Sequence, residues 1–203
     1  MSWRPVALLP LILTLWACAE GGSRGSGITT IVTGNVATVE PAASPGVDGI
    51  RVAVEGNGAH DKTDSAGDFS VRGSFEGRIQ LIFRVPGTGQ AQIAVNVPAG
   101  GTLTLGNVAL DTEQGTVTAE TQGVYFAGTI TGVDCSAALL TLVSAQHAPG
   151  DDDAYVLQLD TSTVRDAQGM TLSCEQIPIG AEATIQGQVN PDGTFGEATV
   201  DLQ

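Results

Sequence analysis

Ile79-Gln80-Leu81-Ile82-Phe83-Arg84-Val85 decides the fold class. Ile79, Leu81, Phe83 and Val85 share one side of an extended chain, because successive strand residues point to opposite faces. The same rhythm continues on both sides of this stretch. Upstream, Ile50, Val52 and Val54 alternate with Arg51, Ala53 and Glu55, and Phe69 and Val71 alternate with Asp68, Ser70 and Arg72. Downstream come Ile93, Val95 and Val97, then Leu103, Leu105, Val108 and Leu110. Ile31 to Val39 opens the series, and Pro41 to Gly49 reads as a loop. Asn57-Gly58 signals a tight turn before a short strand at His60 to Thr63. About seven strands at sandwich spacing are expected within 28–111.

A second β unit is expected over 123–203. Residues 112–122 lack a strong apolar rhythm and read as a linker or a lead-in strand. Tyr125 to Val133, Leu139 to Ser144, the alternation Tyr155, Leu157, Leu159, and Met170 to Leu172 are the expected strands. Ile177-Pro178-Ile179-Gly180 is a loop or a single helical turn. Ala183, Ile185 and Val189 then lead through the turn Pro191-Asp192-Gly193 to Phe195, Ala198, Val200 and Leu202. Abundant glycine (27 residues), 4% aromatics and no long helical period agree with an all-β chain of many turns.

The net charge of −14 argues against nucleic acid, which needs a basic face, and against adsorption to anionic lipid. The charge is uneven. Residues 28–111 hold five Lys/Arg and eight Asp/Glu, whereas 112–203 hold Arg165 alone against thirteen acids. Solubility accounts for this excess more simply than an acidic docking face does.

Arg4, the apolar run Val6 to Trp16 and Ala17-Cys18 have the layout of an export signal: basic end, apolar middle, small-residue cleavage site. The run is too short to span a bilayer, which takes ~20 apolar residues. Leu15-Trp16-Ala17-Cys18 resembles the lipobox of bacterial lipoproteins, although Trp16 departs from its usual small or aliphatic residue. The resemblance implies a signal peptide at 1–17 and a diacylglycerol on Cys18. Ala19, where Asp would mean inner-membrane retention, implies outer-membrane anchoring, facing the periplasm or the exterior. Residues 18–27 then form a flexible tether. Gly21-Gly22-Ser23-Arg24-Gly25 matches the nucleophile-elbow pattern but has no strand before it or helix after it, so it reads as linker. With Cys18 acylated, Cys135 and Cys174 remain in an oxidising compartment, where a disulfide is expected and two buried free thiols are the alternative.

Gly49-Ile50-Arg51-Val52-Ala53-Val54 and Thr63-Asp64-Ser65-Ala66-Gly67-Asp68-Phe69 resemble the carboxypeptidase regulatory-like domain, including its Thr-Asp-x-x-Gly-x-Phe segment. The resemblance covers 28–111 and implies a seven-stranded, prealbumin-like sandwich without catalytic residues. Gly128-Thr129-Ile130-Thr131-Gly132-Val133-Asp134, Leu159-Asp160-Thr161-Ser162-Thr163-Val164 and Ile179 to Gly187 are similar to a bacterial family of small exported β-barrels of unknown function. That implies a five- or six-stranded, OB-like Greek-key barrel over 123–203.

Barrels of this kind often bind nucleic acid or oligosaccharide. Tyr125, Phe126, Tyr155 and Phe195 are spread out and mostly in core phase, beside one arginine, so nucleic acid is excluded and oligosaccharide or peptide stays open. His60 and His147 lie in different units, and no catalytic triad, zinc helix, Walker loop or dinucleotide fingerprint appears. Asp151-Asp152-Asp153 reads as an exposed acidic loop, and Asp61, Asp64 and Asp68 as turn and surface residues rather than a calcium loop. No metal or other cofactor is expected. The chain is expected to be a lipid-anchored cell-envelope protein with a non-catalytic binding, scaffolding or envelope-interaction role, its partners the membrane and an envelope protein or glycan. An accessory subunit of an envelope enzyme or transporter is the second expectation, and a minimal hydrolase the third.

Overall fold

A computed structural model describes residues 28–42, 46–146, 154–189 and 195–203. Seven strands fill 28–111: β1 (Thr30–Glu40), β2 (Arg51–Val54), β3 (His60–Lys62), β4 (Asp68–Gly73), β5 (Gly77–Val85), β6 (Gly89–Val97) and β7 (Thr102–Asp111). Six more follow: β8 (Thr116–Asp134), β9 (Leu139–Ser144), β10 (Tyr155–Gln158), β11 (Thr163–Arg165), β12 (Glu182–Val189) and β13 (Phe195–Leu202). The protein is all-β, and among the described residues its one helical element is a short 3-10 turn, Cys174–Gln176.

The alternation read from β5 holds, with Leu81 and Phe83 fully buried. In the first half β4, β1, β7 and the start of β8 pair as neighbours, and so do β3, β2, β5 and β6. Phe69 of β4 meets Phe83 of β5 edge to face, with ring centroids 5.6 Å apart. Such pairs add about 0.5–1.5 kcal/mol to the area they bury.

The segment 63–69 shows why its residue types are needed. The Asp64 carboxylate accepts the backbone N–H of Ala66 and Asp68, fixing the turn. Gly67 has φ +86° and lies against β1, where its carbonyl accepts the Val36 N–H at 2.9 Å. A Cβ at Gly67 would fall 2.2 Å from the Val36 carbonyl oxygen, so only glycine fits. Phe69 then enters the core. Asp61 accepts the Ser70 N–H, and Asp68 accepts the Asn35 amide, which gives these acids turn and surface work.

In the second half, pairing runs β8–β9–β10–β13–β12 and back to β8, a closed cycle of five strands. Closure leaves no free edge within the cycle. Phe126, Tyr155 and Phe195 are far apart in sequence but converge inside, with centroids 4.9, 6.4 and 6.0 Å apart.

Several expectations are corrected. Of the two readings of 112–122, the lead-in strand describes residues 116–122, which are the first part of β8 paired along β7. Met170 to Leu172 is no strand but a single bridge, Arg165 to Thr171. The strand in that region is β11, parallel to β13. Of the two readings of Ile177 to Gly180 the loop holds, and the helical turn lies just before it at Cys174–Gln176. Of the four aromatics read as mostly in core phase, Phe126, Tyr155 and Phe195 are buried and Tyr125 is the exception, being 54% exposed. The expected signal peptide at 1–17, the expected tether with Cys18, His147, Asp151-Asp152-Asp153 and the expected turn Pro191-Asp192-Gly193 lie outside the described residues.

Candidate functional site

Antiparallel and parallel pairing both place directly paired residues on the same face of a sheet. Thr102 of β7 pairs with Tyr125 of β8, Tyr125 with Gln186 of β12, Gln186 with Thr199 of β13, and Thr199 with Thr163 of β11. Five strands thus carry one outward row: Thr102, Tyr125, Gln186, Thr199, Thr163. A second row beside it reads Thr104, Gly123, Gln188. The inward neighbours Leu103, Val124, Phe126, Ile185, Val200 and Val164 are buried, which holds the outward set in place.

A groove of about 630 Å³ lies over these rows, lined by all of their residues except Thr102. That volume is in the range of ligand sites, ~300–1,000 Å³. Its walls are hydroxyls, amides and the Tyr125 ring, and among the described residues Glu197 is the only charged one lining it. Among the described residues no lysine or arginine lines it. Gly123 keeps the floor open, because a Cβ there would meet nothing nearer than the Gly187 carbonyl at 3.9 Å. Gly187 differs: a Cβ would press on Ala198 at 2.8 Å, so this glycine serves packing.

The strands under the groove have no spare pairing edges. β8 is paired by β7 and β12, and β12 by β8 and β13. The outer side of β11 is met by Leu172, whose N–H bonds the Val164 carbonyl at 2.9 Å, and by Thr171.

The halves meet at the loop 98–101. The Ser144 hydroxyl, itself buried, donates to the Ala99 carbonyl at 2.7 Å. The Thr30 hydroxyl accepts the Gly100 N–H at 3.0 Å. A Cβ on Gly101 would sit 2.9 Å from both the Phe126 Cβ and the Tyr125 carbonyl oxygen. These contacts fix β7 against the part of β8 that carries Tyr125, and so fix the groove wall.

Away from the groove, Cys135 and Cys174 form a disulfide with Cα atoms 5.7 Å apart. It ties the β8–β9 turn to the 3-10 turn. Beside it, the Asp134 carboxylate accepts the Ser136 hydroxyl and the backbone N–H of Ser136 and Ala137. These bonds, the Ser136 hydroxyl foremost, hold the Asp134 carboxyl below the ordinary aspartate value. A group with a depressed folded pKa stabilises above its unfolded pKa, and the effect is lost as pH falls through the folded value. An NMR titration is expected to place Asp134 below an unstructured aspartate, and Ser136→Ala to move it upward. An unchanged value in Ser136→Ala contradicts the assignment.

Sequence reading named Cys135 and Cys174, which the structure joins, and missed the groove. The signal was present in the alternation of Val124, Phe126 and Ile130, which forces Tyr125 outward. Compared with known proteins, the chain matches no protein-family model and no curated sequence.

Proposed function

We propose that this chain is a lipid-anchored protein of the cell envelope that binds a partner non-catalytically through the groove at Tyr125. One observation carries the binding reading: an exposed aromatic on a two-row platform of neutral polar side chains, set over a paired sheet. Large aromatics with one polar end gather where contact surfaces are half apolar and half wet. The envelope address is supported by the layout of residues 1–18. The tether at 18–27 would hold the β domains clear of the lipid surface.

Two measurements test this reading. Radiolabelled palmitate should enter the wild-type chain and not Cys18→Ser, which should also leave the membrane fraction. Gly123→Trp, which fills the groove above a floor with room for it, should keep its fold and lose retention on envelopes stripped of lipid by detergent. Unchanged fractionation of Cys18→Ser sinks the anchor, and unchanged retention of Gly123→Trp sinks the groove.

A further inference from the structure

We infer that the groove takes an uncharged oligosaccharide laid across the strands, with the Tyr125 ring as its stacking surface. The inference rests on the groove being the binding surface, and it names the ligand class.

Chemistry selects this class over its competitors. An anionic ligand finds no cation among the described residues, where no lysine or arginine lines the groove, and Glu197 would repel it. An extended peptide binds by adding a strand to an open edge, and β8 and β12 have both edges paired. An apolar ligand would need an apolar lining, and here the walls are mainly hydroxyls and amides. A neutral sugar chain matches what is present. Its rings offer a C–H face to an aromatic and hydroxyls at the rim. Gln186 and Gln188 both donate and accept, Thr163 and Thr199 do the same, and Glu197 accepts only. Tyr125 is 54% exposed, while every other aromatic among the described residues is buried.

The geometry also sets a length. Neighbouring strands lie about 4.8 Å apart, so the part of the row that lines the groove, Tyr125, Gln186, Thr199 and Thr163 on four strands, spans about 14 Å. A single sugar would meet one or two of these positions, whereas a chain of several rings would meet all of them. The platform draws on both halves of the protein, with Thr104 from β7 and Gln186 from β12. The contacts at the loop 98–101 therefore bear on its shape.

The test uses the natively processed protein in detergent and four probes: chitotetraose, cellotetraose, maltotetraose and polyphosphate. Titration calorimetry is run up to about 1 mM ligand. One neutral tetrasaccharide is expected to saturate, with its monosaccharide at least about tenfold weaker. Tyr125→Ala should weaken binding roughly tenfold or more, the effect of truncating a central aromatic anchor, and Tyr125→Phe should preserve it. Gly123→Trp should abolish binding, with unfolding midpoints unchanged in all three variants. The inference is overturned if no tetrasaccharide binds, if polyphosphate alone binds, or if Tyr125→Ala binds like wild type. Envelope retention separates the two ideas. If Gly123→Trp loses retention while no tetrasaccharide binds, the groove is a binding surface for another ligand. If a tetrasaccharide binds and retention is unaffected, the carbohydrate assignment stands and envelope attachment lies elsewhere.

Discussion

A fragment ending at Asp111 is expected to show no cooperative unfolding transition, and one ending at Gln122 to show one. The added residues are few, but they sit where the first half is weakest. β7 pairs with β1 on one side and with β8 on the other, from Leu105 opposite Gln122 to Asp111 opposite Thr116. Cutting at Asp111 strips this second side and leaves an open strand edge, a site for aggregation. It also removes Thr112, whose N–H and hydroxyl both donate to the Glu40 carbonyl, at 2.8 and 3.0 Å. The Gln92 N–H loses the Gly115 carbonyl, and with it goes the bridge between β6 and β8. Val117, buried opposite Leu110, is lost too. Burying one valine stabilises by about 1.5–3 kcal/mol, and each hydrogen bond by about 0.5–1.5 kcal/mol. A sandwich this small holds only about 5–15 kcal/mol in total, so these losses, added to the stripped β7–β8 pairing, take a large share of it. Urea unfolding followed by near-ultraviolet dichroism and amide exchange decides the matter. Equal cooperative transitions in both fragments would refute the role given to residues 112–122.

The strand hidden in 112–122 explains where sequence reading fails. β7 buries Leu103 and Leu105, then Val108 and Leu110, so its inward phase shifts by one residue. The shift falls at Gly106-Asn107, where Asn107 has φ +50° and its amide donates to the Glu120 carboxylate at 2.7 Å. β8 shifts opposite it, with Val117 inward on one parity and Val124 and Phe126 on the other. A strand that changes face midway shows no steady period-2 signal, so its first part resembles a linker. β11 was illegible for another reason. It has three residues, and its partner β13 lies more than thirty positions away. Where one face stays buried throughout, as in β5 and β9, the alternation was sufficient. The groove is different in kind. Its residues come from five strands, and only the register between them brings Tyr125 beside Gln186 and Thr199.

Replacing both Cys135 and Cys174 with alanine is expected to destabilise the second half by about 4 kcal/mol, the chain-entropy value for a cross-link of this span. The bonded cysteines are 39 residues apart, so the open chain regains much freedom when the bond is gone. The folded state loses a staple as well. Near the disulfide, the backbone of Ile130 bonds that of Gly180 and Ala181, at 2.8 and 2.9 Å. Between Cys174 and that pairing lies Ile177, which is buried among the core residues. The segment 174–181 is thus held at both ends with an apolar side chain inserted between them. With the disulfide removed, the Cys174 end is freed and the backbone pairing and Ile177 alone hold the segment. Amide exchange should rise most at Ile130, Gly180 and Ala181, and least in β2 and β5 of the first half. Reduction of the wild-type protein should reproduce the double variant, because Cys135 is exposed and its side chain fills no core space. The measurement is urea unfolding of wild-type, reduced wild-type and Cys135→Ala/Cys174→Ala protein, with barrel and sandwich probes read separately. A loss below about 1 kcal/mol, or one shared equally by both halves, would show that the cross-link does not hold the barrel end.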